Sequence, residues 1–122
     1  MKKIEAVISP YLLDDLRDAL VAGGVDGMVV SEVGSSTPQS SAMMYRGVQY
    51  HGGQSPRIKV ELVLTDEQFP DIFEIVSRIA SSDPKGAEIT VMAVEQAIRI
   101  RTGERGAHAV GGRPPRTTSR AA

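Results

Sequence analysis

The chain has no cysteine and no tryptophan, and aromatic residues make up only 4% of its 122 residues. The missing cysteine excludes disulfides, thiolate metal ligands and a cysteine nucleophile. The charges nearly cancel, since the chain has 14 basic and 15 acidic residues. The net charge therefore gives no reason to expect nucleic acid or an anionic membrane as a partner. Long apolar runs and a signal peptide are also missing. We therefore expect one soluble, cytoplasmic domain.

Hydrophobic periodicity predicts the element order βαββαβ. Strands are predicted at 2–8, 25–33, 57–64 and 88–94, and helices from Tyr11 to the Gly23-Gly24 pair and from near Thr65 to Ala80. Pro70 favours an irregular first turn or a start later than Thr65. Gly27, inside the second predicted strand, indicates a bulge or a close backbone approach. This order predicts an α+β, ferredoxin-like fold with two helices on one face of an antiparallel sheet.

Two segments of the chain lack a periodic pattern. Residues 34–56, between the second and third strands, are rich in Ser, Gly, Gln and Pro, and so long a loop in a compact domain is generally functional or disordered. Residues 107–122 are dominated by Gly, Pro, Arg, Ser and Thr, which predicts a disordered basic tail. The predicted organisation is a domain at 1–106 followed by this tail.

Two functions common on this fold are disfavoured by the residues. RNA recognition needs aromatic side chains on the strands, whereas the five aromatics here fall on the predicted helices or in the 34–56 loop. Acylphosphatase chemistry needs an arginine cradle after the first strand, where this chain has Ser9-Pro10-Tyr11. The only histidines are His51 and His108, and no catalytic set or metal-ligand spacing is present. We predict no enzyme activity, no catalytic residue and no metal site.

A ligand sensor is favoured by the arginines near residue 100. Arg99 and Arg101 are two residues apart in an alternating stretch, which predicts that both guanidinium groups project from one face. Two such groups are suited to an oxyanion such as phosphate. The alternative is a pair of solvated surface arginines.

Several segments resemble the PII signal-transduction family. The opening MKKIEAVISPYLLDDLRDAL and the later VDGMVVSEV are similar to its first strand, helix and second strand. YRGVQY at 45–50 resembles the family's YRGAEY, and RIRTGERG at 99–106 resembles its C-terminal signature. The resemblance runs from Met1 to about Gly106.

This resemblance implies a homotrimer that binds one adenine nucleotide in each cleft between subunits and signals to a protein target through the long loop. Arg99 and Arg101 would then hold phosphates, and Glu61 and the backbone near Met28 would hold the adenosine. The full implied set is Gly27, Met28, Val29, Glu61, Val63, Lys85, Gly86, Arg99 and Arg101. No cofactor is required on this interpretation.

The predicted phosphate loop departs from the family pattern. Where the family has TGKIGDGK, this chain has SSDPKGAE at 81–88, which keeps Lys85 and Gly86 but ends in Glu88. Nested amides and a lysine favour a polyphosphate, whereas an acidic residue repels it. We therefore predict that ADP or AMP binds better than ATP.

The long loop departs as well. It is uncharged before YRG; Gln39 matches the family glutamine that orients magnesium and 2-oxoglutarate, and Arg57 replaces a lysine. This profile resembles the carboxysome-associated PII-like subgroup, which implies bicarbonate as an effector near Arg46 or Arg57. The alternative is a conventional nitrogen sensor of ATP, ADP and 2-oxoglutarate. Tyr50 aligns with a tyrosine that is modified in some members of the family. The resemblance also implies that the target of the long loop is a transporter, an enzyme or a carboxysome-linked protein.

Overall fold

The computed structural model describes residues 1–36, 43–45, 48–50 and 54–110. The strands are β1 (Lys2–Ile8), β2 (Val29–Ser36), β3 (Met43–Tyr45), β4 (Val48–Tyr50), β5 (Gln54–Leu64) and β6 (Glu88–Ala93). The helices are α1 (Leu13–Ala22) and α2 (Phe69–Ala80), with 3-10 turns at Pro10–Leu12 and Gly106–Ala109.

The main sheet has four antiparallel strands in the order β2-β5-β1-β6. In the register of its centre, Ile4 lies opposite Leu62 on β5 and Val91 on β6. Strands β3 and β4 form a separate two-stranded sheet. With α1 and α2 packed together, this is the α+β, ferredoxin-like arrangement, and the predicted fold is confirmed.

The core lies between the helices and one face of the sheet. Alternate residues of β1 and β5 are buried there, as are residues three or four apart on each helix. Burying one such Leu or Ile fully contributes about 1.5–3 kcal/mol relative to exposure. The most deeply buried side chains are Ile4, Ile8, Leu16, Leu20, Ile58, Val60, Leu64 and Val76. The opposite face of β1 and β5, which we call the open face, carries Lys3, Glu5, Lys59, Glu61 and Val63.

The boundaries around β2 differ from those predicted. The strand starts at Val29 rather than at residue 25, so Gly27 precedes it and the predicted mid-strand bulge at Gly27 is wrong. The cause is the end of α1: Gly24 has a φ of 92°, and the Val25 amide donates to Leu20 O at 2.9 Å. This glycine-ended helix stop occupies residues that valine content alone assigned to a strand.

The ends of the predicted 34–56 loop are paired strands. Gly34 lies opposite Pro56, and Ser36 lies opposite Gln54. A ladder is held by backbone groups, so the polar composition of this segment does not prevent pairing. Pro56 is tolerated inside β5 because β1 pairs with β5 only as far as Ile58, and residue 56 has its neighbour on the β2 side alone.

A turn precedes each of the two helices. Pro10–Leu12 form a 3-10 turn before α1, and α2 starts at Phe69 with Pro70 in its first turn. The prediction of a start after Thr65 is confirmed, because Thr65 and Gln68 exchange hydrogen bonds ahead of the helix. Neither helix among the described ranges is long and apolar enough to cross a bilayer.

The segment after β6 turns back on itself. Ile98 bridges to Arg105, the Arg99 amide donates to Glu104 O at 2.8 Å, and Gly103, with a φ of 77°, donates to Arg99 O at 2.7 Å. Residues 100–102 are the tip of this turn, so the predicted extended stretch that placed Arg99 and Arg101 on one face is wrong. The 3-10 turn Gly106–Ala109 extends into the predicted tail, and residues 111–122 lie outside the described ranges.

Candidate functional site

A pocket of about 530 Å³ lies where the Lys3 end of the open face meets the segments before β2 and after β6. β1 and β5 supply its floor, because Lys3 lies opposite Val63 in their ladder. The lining residues are Lys3, Asp26, Gly27, Met28, Val29, Glu61, Val63, Ala97, Ile98, Arg99, Ala109 and Val110. The pocket therefore combines backbone, apolar side chains and charges of both signs.

The floor of the pocket carries an ion-pair network. Lys3 Nζ lies 2.7 Å from Glu61 Oε1 and 3.1 Å from Glu5 Oε2, and Lys59 Nζ lies 3.8 Å from Glu61 Oε2. Glu5 and Glu61 are directly opposite each other in the ladder, an arrangement that is unfavourable for like charges unless a cation lies between them. Lys3 occupies that position.

The network keeps Lys3 and Glu61 ionised. The hydrogen bond from Lys3 lowers the pKa of Glu61 below its usual value, with Lys59 adding to the effect. The same hydrogen bond, together with one to Glu5, raises the pKa of Lys3. At neutral pH the floor therefore presents a charged carboxylate that is able to accept hydrogen bonds from a ligand hydroxyl or amino group.

Arg99 forms the cationic wall. Its side chain is 55% exposed, its Nε lies 3.3 Å from Glu104 Oε1, and its Nη2 donates to Ala109 O at 3.2 Å. Thr102 Oγ1 in turn donates to Glu104 at 2.9 Å. The turn thus orients the guanidinium, and two of its five N–H donors are engaged in these contacts. The remaining donors are available to an anionic group of a ligand.

The apolar part of the lining is open to solvent. Val29 is 60% exposed and Ile98 is 44% exposed. Met28 and Val63 are partly buried, and Met28 packs against the core. Gly27 presents bare backbone, because a Cβ built there would meet nothing within 4 Å. Exposed apolar side chains beside bare backbone and ionic groups are suited to a ligand that has both apolar and polar parts.

Six of the nine residues named for nucleotide binding line this pocket: Gly27, Met28, Val29, Glu61, Val63 and Arg99. Arg101 is exposed in the turn tip and does not line it, and Lys85 and Gly86 lie beyond the other end of β1. Sequence reasoning missed Lys3, whose position depends on the β1–β5 register, although its place in an alternating first strand was a usable signal.

The residues named for an effector are placed differently. The Arg57 side chain is turned inward and only 8% exposed, so it is not placed at the surface as an anion ligand of the loop would be. Gln39 and Arg46 lie outside the described residues, and Tyr50 is the last residue of β4. In the described part of the chain no group of three His, Cys, Asp or Glu side chains is arranged to hold a metal ion.

Comparison with known proteins gives a consistent set of matches. The model of the family "Nitrogen regulatory protein P-II" matches residues 1–104. The protein named nitrogen regulatory protein P-II from Cereibacter sphaeroides is 43% identical over 112 residues, which is 90% of this chain and 100% of that protein. Proteins of the same name from Pasteurella multocida and Rhodobacter capsulatus are 42% and 41% identical with the same coverage.

Proposed function

The chain belongs to the nitrogen regulatory protein P-II family, and from that premise we propose that it is a regulator that binds an adenine nucleotide and signals to a protein target. The family consists of signal transducers rather than enzymes, so we propose binding without turnover. The site of binding in this proposal is the pocket between the open face, Gly27 and Arg99. The segment around residues 34–56 is the proposed contact with the target.

One observation carries the nucleotide proposal: six residues chosen from sequence for this role lie in one pocket. In the proposed complex, adenine lies against Val29 and Ile98 and meets the bare backbone at Gly27. The Glu61 carboxylate accepts hydrogen bonds from the nucleoside, and the Arg99 guanidinium binds a phosphate. The proposed contacts therefore match apolar side chains to the ring, a carboxylate acceptor to the nucleoside donors and a cation to the phosphate.

A homotrimer is the proposed assembly. Val7, whose carbonyl receives the Arg57 side chain next to Gly86, is four residues from Lys3, or about 13 Å along the strand. Lys85 and Gly86 are therefore distant from the pocket of their own chain. We propose that a neighbouring copy brings its Lys85 and Gly86 to the phosphates, so that each site is completed between two subunits.

A preference for ADP or AMP over ATP is part of the proposal. Glu88 is exposed at the start of β6, two residues after Gly86. A carboxylate there repels the added charge of a third phosphate. The cationic groups proposed to offset it are Lys85 and Arg101.

Isothermal titration calorimetry with AMP, ADP and ATP tests this proposal. We expect ADP or AMP to bind more tightly than ATP, and Arg99→Met to weaken binding by about tenfold to a hundredfold, the range for loss of a charge-assisted contact. Arg78→Met is the matched control, because Arg78 is an exposed arginine at the end of α2 outside the pocket. Equal affinities of the two variants would contradict the site, and tighter ATP binding would contradict the preference.

The proposal also concerns the identity of the small effector, either 2-oxoglutarate or bicarbonate. The relatives are named for nitrogen regulation, which supports the conventional sensor of ATP, ADP and 2-oxoglutarate. The bicarbonate and carboxysome hypothesis now depends on Arg46, because the Arg57 side chain is buried. A thermal-shift screen distinguishes the two hypotheses. Stabilisation by ADP or AMP that bicarbonate increases supports the bicarbonate hypothesis. Stabilisation that needs magnesium, ATP and 2-oxoglutarate supports the conventional sensor.

A further inference from the structure

Arg57, near the start of β5, reaches across the end of the sheet to two backbone carbonyls. Its Nη2 donates to Gly86 O at 2.5 Å and to Val7 O at 3.3 Å. The same nitrogen lies 3.7 Å from Asp83 Oδ2. The side chain is 8% exposed, and its Nε is buried without a hydrogen-bond partner. A guanidinium in this position is surrounded by protein rather than by solvent.

Asp83 is the charged partner at the centre of this group. Its side chain is fully buried and accepts hydrogen bonds from the Ser9 amide at 2.8 Å, from Ser9 Oγ at 2.8 Å and from the Lys85 amide at 3.0 Å. Burial by itself raises the pKa of Asp83, but these hydrogen bonds and the Arg57 charge outweigh it and leave the pKa below its usual value. The carboxylate is therefore ionised at neutral pH.

The turn held by this group has a specific backbone shape. The Gly86 amide donates to Asp83 O at 3.0 Å, and Gly86 has a φ of 81°. The contacts of Asp83 and Arg57 join this turn to the end of β1 and to the start of β5. We call these five residues (Ser9, Arg57, Asp83, Lys85 and Gly86) the Arg57 cluster.

We infer that Arg57 is a positioning residue: through Gly86 and Asp83 it fixes the 83–86 turn against β1 and β5, and it is not a ligand for a small anion in solution. The turn accordingly keeps its shape in the absence of nucleotide. Arg57 lies near the start of β5, the strand that follows residues 37–53 in the chain. The cluster therefore fixes the position of the 83–86 turn relative to the first residues of β5. The inference depends on the proposed function only where Lys85 and Gly86 are said to contact a nucleotide.

The first test uses the unmodified protein without nucleotide. Nuclear magnetic resonance of the arginine side chains reports whether the Arg57 guanidinium is held: we expect slow rotation about its Nε–Cζ bond and slow exchange of its N–H protons. We also expect no change in these signals when bicarbonate or 2-oxoglutarate is added. Free rotation, or a shift of the Arg57 signals that saturates with either anion, would overturn the inference.

The second test measures hydrogen exchange of the Lys85 and Gly86 amides in variants, again without nucleotide. We expect at least tenfold faster exchange in Arg57→Met and a smaller increase in Arg57→Lys, which keeps a charged nitrogen that donates hydrogen bonds. Lys59→Met, on the same strand and face, is the matched control and should leave these amides unchanged. Unchanged exchange in Arg57→Met, with the fold intact by circular dichroism, would overturn the inference; if Arg57→Met does not fold, Arg57→Lys against the control decides it.

Calorimetry with ADP on the native protein, Arg57→Met and Arg57→Lys separates this inference from the proposed function. If the turn positions phosphate ligands, Arg57→Met lowers ADP affinity and Arg57→Lys recovers part of it. If neither the native protein nor any variant binds ADP, the proposed function is wrong. The exchange of the Lys85 and Gly86 amides still decides whether Arg57 positions the turn.

Discussion

Replacement of Asp83 by Asn tests the buried charge of the Arg57 cluster. The change keeps the size of the side chain but turns one acceptor oxygen into a donor. With the NH₂ group toward the Ser9 amide, two donors face each other. With the NH₂ group at the other position, Ser9 Oγ is able to rotate and accept, but the Lys85 amide then faces a donor. Either orientation leaves at least one backbone donor unsatisfied.

The size of the effect follows from these losses. An unsatisfied buried donor costs about 1–3 kcal/mol, and removing one partner of a buried ion pair costs about 3–5 kcal/mol in total because the other charge stays behind. We therefore expect Asp83→Asn to lower the free energy of unfolding by about 3–5 kcal/mol at pH 7. With a urea dependence of about 1.5 kcal/mol per M, the unfolding midpoint falls by about 2–3 M.

The assay is urea unfolding without nucleotide, at one protein concentration, because assembly shifts apparent stability. The effect of Asp83→Asn on stability should depend on pH. Since the pKa of Asp83 is lowered in the folded protein, its stabilisation is present above its unfolded pKa of about 3.9 and is lost as pH falls through the folded pKa. The difference between native protein and variant should therefore shrink below about pH 4.

The matched control is Asp15→Asn, at an exposed position in the first turn of α1, where loss of the charge costs about 0.3–1 kcal/mol. A result for Asp83→Asn within that small range, or a difference from native protein that does not change with pH, would refute the reasoning. It would mean that Arg57 and Asp83 contribute no net charge interaction in the fold.

Three further predictions concern the pocket and the core. The Glu61 carboxyl should titrate below its usual value of 4.5, and Lys3→Met should move it upward in carbon-detected titration; an unchanged midpoint would show that Lys3 does not set it. Leu20→Ala, at a side chain with 0% exposure, should lower the free energy of unfolding by about 2–5 kcal/mol in urea unfolding, and a loss under 1 kcal/mol would contradict its place in the core. Glu88→Lys should raise ATP affinity relative to ADP by about tenfold in calorimetry, whereas Glu95→Lys should not, and equal ratios in both would contradict the role of Glu88.

The fold was predictable because its signals are local. The alternation in β1 and the helical spacing of Leu16 and Leu20 depend on neighbours within a few residues. Boundaries were less predictable: the start of β2 depends on how α1 ends at Gly24, and the ends of the 34–56 segment depend on pairing between strands that are distant in sequence.

The site was predictable only in part, because it depends on contacts between residues that are distant in sequence. Resemblance identified Gly27 and Glu61 without any knowledge of their geometry. The alternation at 98–101 led to a wrong face for Arg101, because a bridge between Ile98 and Arg105 closes a turn that a strand pattern does not detect. The inward position of Arg57 depends on a turn 26 or more residues later in the chain that folds over the end of β1, so no local pattern contains it.

Strands β2 and β5 continue beyond the end of β1 as a two-stranded ribbon. Their pairing runs from Val33 and Arg57 to Ser36 and Gln54, past the last β1 rung at Ile58. A ribbon of two strands twists more strongly than a sheet and bends more easily, and this one is about 10 Å long. One end of the ribbon is held by the contacts of Arg57. A small rotation at that end therefore becomes a larger displacement at Ser36 and Gln54, the other end. A ligand that changes the contacts of Arg57 would therefore change the position of Ser36 and Gln54 without contacting either residue.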